Sequence, residues 1–413
     1  MTRSVNAAAR VLAKFLRLSR SRVAADSSFA AQREDSAEAE EERYRQLADD
    51  ASALNMPFSD LGATSVDLYR LGLVLAALDA GPRYEVLDFG AGTCWTSAFL
   101  NRMGLKTVAL DISATALEIG RKSFALDARQ HTEPAPEFHT YDGRHFPFED
   151  DRFDGIVSFA AFHHVPNQEE ILREMFRVTA PGGRVVFNEP LLQHAATLAA
   201  QSEVEAYGVL ERDIDPASFE HNALDIGFER LVLKPYSQTP FDELTSNSLL
   251  RNVAFSAEQA AKRYLDSYSV FYLQKPGEPP RDSSRPGVLR AEIEVSADQD
   301  SRGPDGEMRP LVTLHNTGDT LWLSEPHPQG GYVTLGCQLL TEDRRRIDRD
   351  YQRFSLPSDV PPGATLTMRI KIRMPRDPGT YTLKLDLVNE GVCWFEDVGS
   401  TPLTMSLERG ERP

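Results

Sequence analysis

An α/β domain on a mostly parallel sheet, followed by a β-sandwich, is the fold class that the sequence predicts, and three observations predict it. Short apolar runs alternate with amphipathic stretches up to about residue 188, a proline-rich break lies near Pro276, and beyond that break the hydrophobic period becomes two. A chain of 413 residues exceeds one ordinary core, so two domains are expected. The divisions expected are a basic, then acidic, helical segment over 1–50, the α/β domain over 51–275, a linker over 276–287 and the sandwich over 288–410.

Strands are expected near 84–89, 106–110, 136–140, 154–159 and 184–188, where branched and aromatic residues cluster. The segment Glu169 to Val178 is amphipathic, with Ile171, Leu172, Met175 and Phe176 on one side, and Pro181-Gly182-Gly183 should stop it. A helical insertion should follow Asn188-Glu189-Pro190, and Phe228–Leu233 with Tyr268–Leu273 should close the sheet as an antiparallel pair.

The run Glu85 to Phe89 is an apolar strand that enters the turn Gly90-Ala91-Gly92, and Val108-Ala109-Leu110-Asp111 follows as a second strand ending in an acid. Glycines let the backbone turn sharply and approach a ligand, and the helix expected over 96–103 would aim its positive end at a carboxylate. Asp111 stands where a carboxylate can accept two hydrogen bonds from ribose hydroxyls. Trp95 occupies the third glycine position of the dinucleotide fingerprint, which argues against a pyrophosphate. Asp88 before the turn argues the same way, since a carboxylate repels a diphosphate and favours an ammonium or sulfonium. S-adenosylmethionine carries both cations.

The series continues through Tyr141-Asp142-Gly143, Phe153 to Phe159, Phe162-His163-His164-Val165 and Val178 to Phe187. In order, these motifs resemble the class I S-adenosylmethionine-dependent methyltransferases, in particular the small-molecule, type 11-like branch with a His-His pair after the fourth strand. The resemblance covers roughly residues 55–275 and implies a Rossmann-like, seven-stranded, mostly parallel sheet. It implies that Asp88, Gly90 and Gly92 hold the methionyl part, Asp111 with Ile112 the ribose, and Asp142 with Gly143 the adenine; Phe159 and Phe162 could line the methyl-transfer region, with core packing the favoured reading for each. Cys94, where many members carry glycine, is a departure that leaves the loop shape open.

Methyl transfer to an alcohol needs a base, whereas a neutral amine needs less help. His163 and His164 follow the strand that should face the methyl group, and at most one is expected to be that base. Glu189, at the carboxyl edge of the fifth strand, could bind a sugar hydroxyl, act as a base, help hold a divalent ion, or pair structurally with an arginine. Tyr207, Glu211, Arg212 and Asp213 are weaker candidates for acceptor contact. No HExxH, paired-aspartate or clustered-cysteine signature specifies a metal, and none is expected.

A net charge of −17 argues against nucleic acid as substrate. Cys94, Cys337 and Cys393 form neither a metal-ligand spacing nor a disulfide framework, so a reducing, cytoplasmic compartment is expected. No apolar run reads as a membrane span. The first twenty-five residues carry Arg3, Arg10, Lys14, Arg17, Arg20 and Arg22 without an acid, opposite an apolar face. Such a helix could lie on the inner membrane surface, dock on protein or serve as a transit peptide. The acidic stretch 34–50 reads as a solvated helix or spacer.

Beyond the linker, Leu366, Met368, Ile370 and Ile372 alternate with polar residues, as do Tyr381, Leu383, Leu385 and Leu387, each the signature of a strand with one buried face. The segments Asn316–Trp322 and Val388–Phe395 resemble immunoglobulin-like modules appended to bacterial enzymes of surface-polysaccharide synthesis. Trp322, Trp394 and Phe395 could stack on a sugar, with core packing the favoured reading. The resemblances together imply O-methylation of a saccharide or related small polar metabolite. Two alternatives stand beside it: a lipid, quinone or natural-product acceptor, and a non-catalytic glycan- or protein-binding scaffold.

Overall fold

A computed structural model describes residues 29–48, 50–81, 83–129, 135–234, 268–278, 281–296 and 308–409, and the chain divides near Pro280 into two compact units. The basic segment expected over the first twenty-five residues lies outside the described residues.

The first unit begins with helices α1 (Phe29–Leu47), α2 (Ala51–Leu54) and α3 (Leu61–Leu78). There follow β1 (Glu85–Phe89), α4 (Trp95–Arg102), β2 (Lys106–Asp111), α5 (Ala114–Leu126), β3 (Glu137–Thr140), β4 (Phe153–Phe159), α6 (Gln168–Val178), β5 (Thr179–Pro190), α7 (Leu198–Tyr207), α8 (Pro216–Ile226), β6 (Arg230–Lys234) and β7 (Tyr268–Gln274). The strands form one sheet in the order β3-β2-β1-β4-β5-β7-β6, with β7 antiparallel to both neighbours. Chain direction therefore reverses only at that edge, and the carboxyl ends of β1, β2, β4 and β5 share one side, where open α/β sheets bind ligands.

Local chemistry sets the ends of these elements. Asp60 accepts the Ala63 N–H at the start of α3, Ser113 accepts the Ala116 N–H at the start of α5, and Asp215 precedes Pro216 in the first turn of α8. Helix α6 is strongly two-faced and buries Ile171, Leu172, Met175 and Val178. It ends at Val178, the last residue of the segment expected for it, and Thr179 to Arg184 then pair or bulge onto β4. Helix α3 corrects the expectation that no apolar run is long enough for a membrane span: its eighteen residues pass that test. Leu71, Val74, Ala77 and Leu78 of this helix are nonetheless buried, Val74, Ala77 and Leu78 in one cluster with Val86, Val157, Val186 and Val270 of the sheet. On the other sheet face Phe162, Phe187, Phe219 and Phe271 pack with ring centroids 5.1 to 5.7 Å apart.

The second unit holds β8 (Ala291–Ser296), β9 (Leu311–Asn316), β10 (Val333–Thr341), β11 (Arg346–Ser355), β12 (Thr365–Arg369), β13 (Gly379–Asn389), β14 (Cys393–Trp394) and β15 (Leu403–Arg409). They form two antiparallel sheets, β11-β10-β13 with β14 and β15 on the far side of β13, and β12-β9-β8. Both sheets give residues to one core, including Val312 and Leu314 from one and Leu335, Leu383 and Leu385 from the other. Trp322 and Phe395 are fully buried there, edge to face at 5.6 Å, and Trp394 is 7% exposed under the Arg353 guanidinium. These aromatic faces are thus spent on packing, and none is open to a sugar. The expected linker is also shorter than its composition suggested: Ser283 is buried and donates to the Gly331 carbonyl, while Asp282 accepts the Ser284 N–H, so this stretch belongs to the second unit.

Candidate active site

At the end of β1 the chain enters the left-handed region, with φ of 65° at Gly90 and 52° at Gly92. A Cβ on Gly90 would lie 2.3 Å from the Ala161 Cβ, so that position requires glycine for space as well as for conformation, while one on Gly92 would lie 2.6 Å from the Tyr44 hydroxyl and push that side chain aside. Cys94 also has a positive φ, 60°, which explains why glycine suits this position. Its buried thiol rests against Gly120, where an added Cβ would come within 2.4 Å of the sulfur.

Asp111 ends β2 and faces the same space. Its carboxylate accepts the Gly92 N–H at 2.7 Å and the Ser113 N–H at 2.8 Å, one on each oxygen, which leaves one lone pair per oxygen for a ligand. Burial pushes its pKa up to about 6 in spite of these bonds. Asp88 sits beneath the turn, 1% exposed, and accepts the Ser97 hydroxyl at 2.6 Å; burial raises it to about 7. It supports the turn from below and is absent from the cavity wall.

Helix α1 roofs this space, which corrects its reading as a solvated spacer. Glu41 accepts the hydroxyls of Ser113 and Thr115, anchoring α1 to the start of α5, while Glu40, Arg43 and Tyr44 line the cavity above Gly90 and Asp111. One Glu40 oxygen is buried without a hydrogen-bond partner among the described residues, and burial pushes Glu40 up to about 7. Such an oxygen is suited to an ammonium or hydroxyl donor. Ile112, Gly143 and His164 line the same cavity. Asp142 does not: it is exposed, and its carboxylate closes a turn by accepting the N–H groups of Arg144 and His145.

A second cavity of about 430 Å³ adjoins the first and shares Arg43, Tyr44, Gly90, Ala160 and His164 with it. Trp95 and Phe159, edge to face at 5.0 Å, line it on one side, and His163, His194, Glu211 and Tyr268 line it as well. Glu189 lies behind His163, fully buried. Its carboxylate accepts from the Ser158 hydroxyl at 2.8 Å, from the Ala161 and Phe162 N–H groups at 2.9 Å each, and from His163 Nδ1 at 2.7 Å. Burial alone would raise its pKa, but the His163 hydrogen bond and charge and the backbone donors outweigh burial and hold it low. An ionised carboxylate only accepts, so His163 carries a proton on Nδ1 and turns Nε2 toward Glu211, 3.5 Å away. His194 Nε2 lies 2.6 Å from the same Glu211 oxygen.

His164 is the more constrained of the two adjacent histidines. Its Nδ1 donates to the Leu210 carbonyl at 2.5 Å, and burial pushes its pKa down to about 4. The structure therefore brings His163 and Glu189 together as an oriented pair, leaves Glu189 out of ligand reach, and puts His164 between the two cavities. Sequence reasoning missed Glu40, Tyr44 and His194. Only the proximity of His194 to Glu189 along the chain hinted at the last.

Residues 87–187 match the family described as methyltransferase domain. The chain is 35% identical over 116 residues to the demethylmenaquinone methyltransferase of Streptomyces griseus, a stretch covering 28% of this chain and 46% of that protein. It is 30% identical over 157 residues to the methyltransferase GfsG of Streptomyces halstedii, covering 36% and 55% respectively. The chain thus spans about half the length of these relatives. Among solved structures, the YcgJ protein of Bacillus subtilis overlaps with a TM-score of 0.37 at 16% identity, covering 51% of this chain and all of that one. The match to the methyltransferase domain lies wholly within the first unit, and the group to test against this site is S-adenosylmethionine. The residues present fit that group: an acid at the end of β2, an unpartnered carboxylate oxygen on α1, and a turn that a side chain would fill.

Proposed function

We propose that this chain transfers a methyl group from S-adenosylmethionine to an oxygen of a small polar acceptor, a saccharide or related metabolite, bound in the cavity beside His163. The observation that carries the reading is the junction of the two cavities, where the glycine turn and Asp111 face one space and the His163–Glu189 pair faces the other. S-adenosylmethionine supplies an electrophilic methyl group on a sulfonium. The protein's part is alignment of the acceptor, exclusion of water by Trp95, Phe159 and helix α1, and activation of an acceptor hydroxyl by the His163, His194 and Glu211 cluster. Arg43, Asp67, Glu203 and Tyr268 add a polar wall that suits an acceptor rich in hydroxyls.

The name of the demethylmenaquinone relatives favours a second reading, a quinone-ring acceptor. The second unit, with its two antiparallel sheets, is read here as an immunoglobulin-like module, and the cytoplasm as the site of action. Incubation of the full chain with labelled S-adenosylmethionine and a panel of nucleotide sugars, glycans and quinols tests the proposal. Label on a saccharide hydroxyl is expected, label on a quinol alone would replace the first reading with the second, and no transfer by a chain that binds cofactor would favour a scaffold.

A further inference from the structure

We propose that His163, His194 and Glu211 form a binding site for one divalent transition-metal cation in the acceptor cavity, with Glu189 as the outer carboxylate that fixes His163. One ligand atom from each of the three lies within 4.8 Å of the others, a spacing that side-chain rotation closes onto a common ion. Two imidazoles and one carboxylate are a donor set of the kind that holds zinc, iron or cobalt, whereas magnesium and calcium favour oxygen alone.

The arrangement around His163 gives the second, independent observation. Its Nδ1 lies 2.7 Å from Glu189, so Nε2 is the ring atom turned toward the cluster, 3.5 Å from the Glu211 oxygen that also lies 2.6 Å from His194 Nε2. A cation placed among these three atoms would meet a donor from each side chain. Glu189 is 0% exposed and held by three further donors, Ser158, Ala161 and Phe162, which is how an outer carboxylate orients a metal-binding histidine. The segment that carries Glu211 is also fixed, because the neighbouring Leu210 carbonyl accepts from His164. All three ligands border the 430 Å³ cavity, so coordination positions remain open toward an oxygen donor of the acceptor. The inference rests on the methyltransferase reading only for that last point.

The full-length chain, freed of metal by dialysis against a chelator, is titrated with Co²⁺ and then Zn²⁺, with S-adenosylhomocysteine calorimetry on the same samples. One Co²⁺ per chain with a visible ligand-field spectrum, displaced by Zn²⁺, is expected. Glu189→Gln should weaken binding by about 10- to 100-fold, and His194→Ala and Glu211→Ala should weaken it further. Affinity for S-adenosylhomocysteine should persist in all three. Absence of a Co²⁺ spectrum in the wild type, or binding indifferent to His194→Ala and Glu211→Ala, would overturn the site and leave a hydrogen-bonded cluster. Should a variant fail to fold, the Co²⁺-loaded wild type decides by proton NMR: a strongly shifted His163 Nδ1 proton supports the site, and its absence overturns it. A wild type that binds S-adenosylhomocysteine but no metal defeats this inference alone. One that binds metal but no S-adenosylhomocysteine defeats the methyltransferase reading instead.

Discussion

Asp111 in the first unit and Asn316 in the second are both buried polar side chains, and their surroundings treat them differently. The Asp111 carboxylate keeps acceptor capacity toward a cavity and is pushed up to about 6 by burial. Asn316 gives its amide protons to the Thr320 and Val360 carbonyls at 2.8 and 2.9 Å and accepts the Gly318 N–H; Asn389 donates to the Ser283 carbonyl at 2.7 Å, although its Oδ1 has no partner among the described residues. The contrast extends to neighbours: Glu40, Asp88 and Asp111 gather at one end of the parallel sheet, whereas the buried amides of the second unit stitch turns to strands. Polar groups held under electrostatic stress beside a cavity point to a ligand. Polar groups satisfied by backbone point to the fold. Asp386 is the case in the second unit that behaves like the first, since burial pushes it up to about 7.

Substitutions can break this contrast. Trp322→Ala should have the largest effect, lowering the stability of the second unit by about 3–5 kcal/mol through the cavity it leaves, as read by hydrogen exchange. Cofactor affinity should not change, and a matching loss of affinity would mean that the second unit serves the site. Asn316→Ala should cost about 2 kcal/mol in the same unit, because it removes the side-chain donor to the Thr320 carbonyl and the acceptor of the Gly318 N–H, while the Val360 carbonyl keeps the Trp322 N–H. Gly92→Ala should cost about 1–2 kcal/mol in backbone strain alone and displace Tyr44 from the roof, so its signature is weaker S-adenosylhomocysteine binding.

The smallest effect concerns pH. The folded pKa of Asp386, about 7, lies above the ordinary value of 3.8, so the folded state holds the proton more tightly. Its contribution is fully present below about pH 4 and is lost as pH rises toward 7. Asp386→Asn should therefore gain on the wild type by ~1 kcal/mol or more between those limits in urea unfolding. A pH-independent difference would show that Asp386 is ionised throughout.

How much of this was legible depended on whether neighbours in space were neighbours in sequence. The strand, turn and acid from Glu85 to Asp111 form one continuous unit, so the cofactor side could be read from residue types alone. The pairing of β6 with β7, distant along the chain, was legible for another reason: two apolar runs stand where the family resemblance puts a closing antiparallel pair. The roof was not: Glu38 to Glu42 look solvated as a string, yet helical periodicity exposes Glu38 and Glu42 while turning Glu40 and Tyr44 inward. His163 comes from a short 3-10 turn after β4, and His194 and Glu211 from two separate loops, and only the fold brings them within reach. In the second unit the alternation at Leu383, Leu385 and Leu387 announced a strand, and the favoured reading of Trp322, Trp394 and Phe395 as core residues agrees with their burial.

The central claim is that the end of β1 and β2 is a cofactor site, and calorimetry of the full chain with S-adenosylhomocysteine tests it most directly. The wild type should bind, and Asp111→Ala should lose about 1.5–3 kcal/mol of affinity for each charge-assisted hydrogen bond removed. Equal affinity in a folded Asp111→Ala variant, or no binding by folded wild type, would contradict the account.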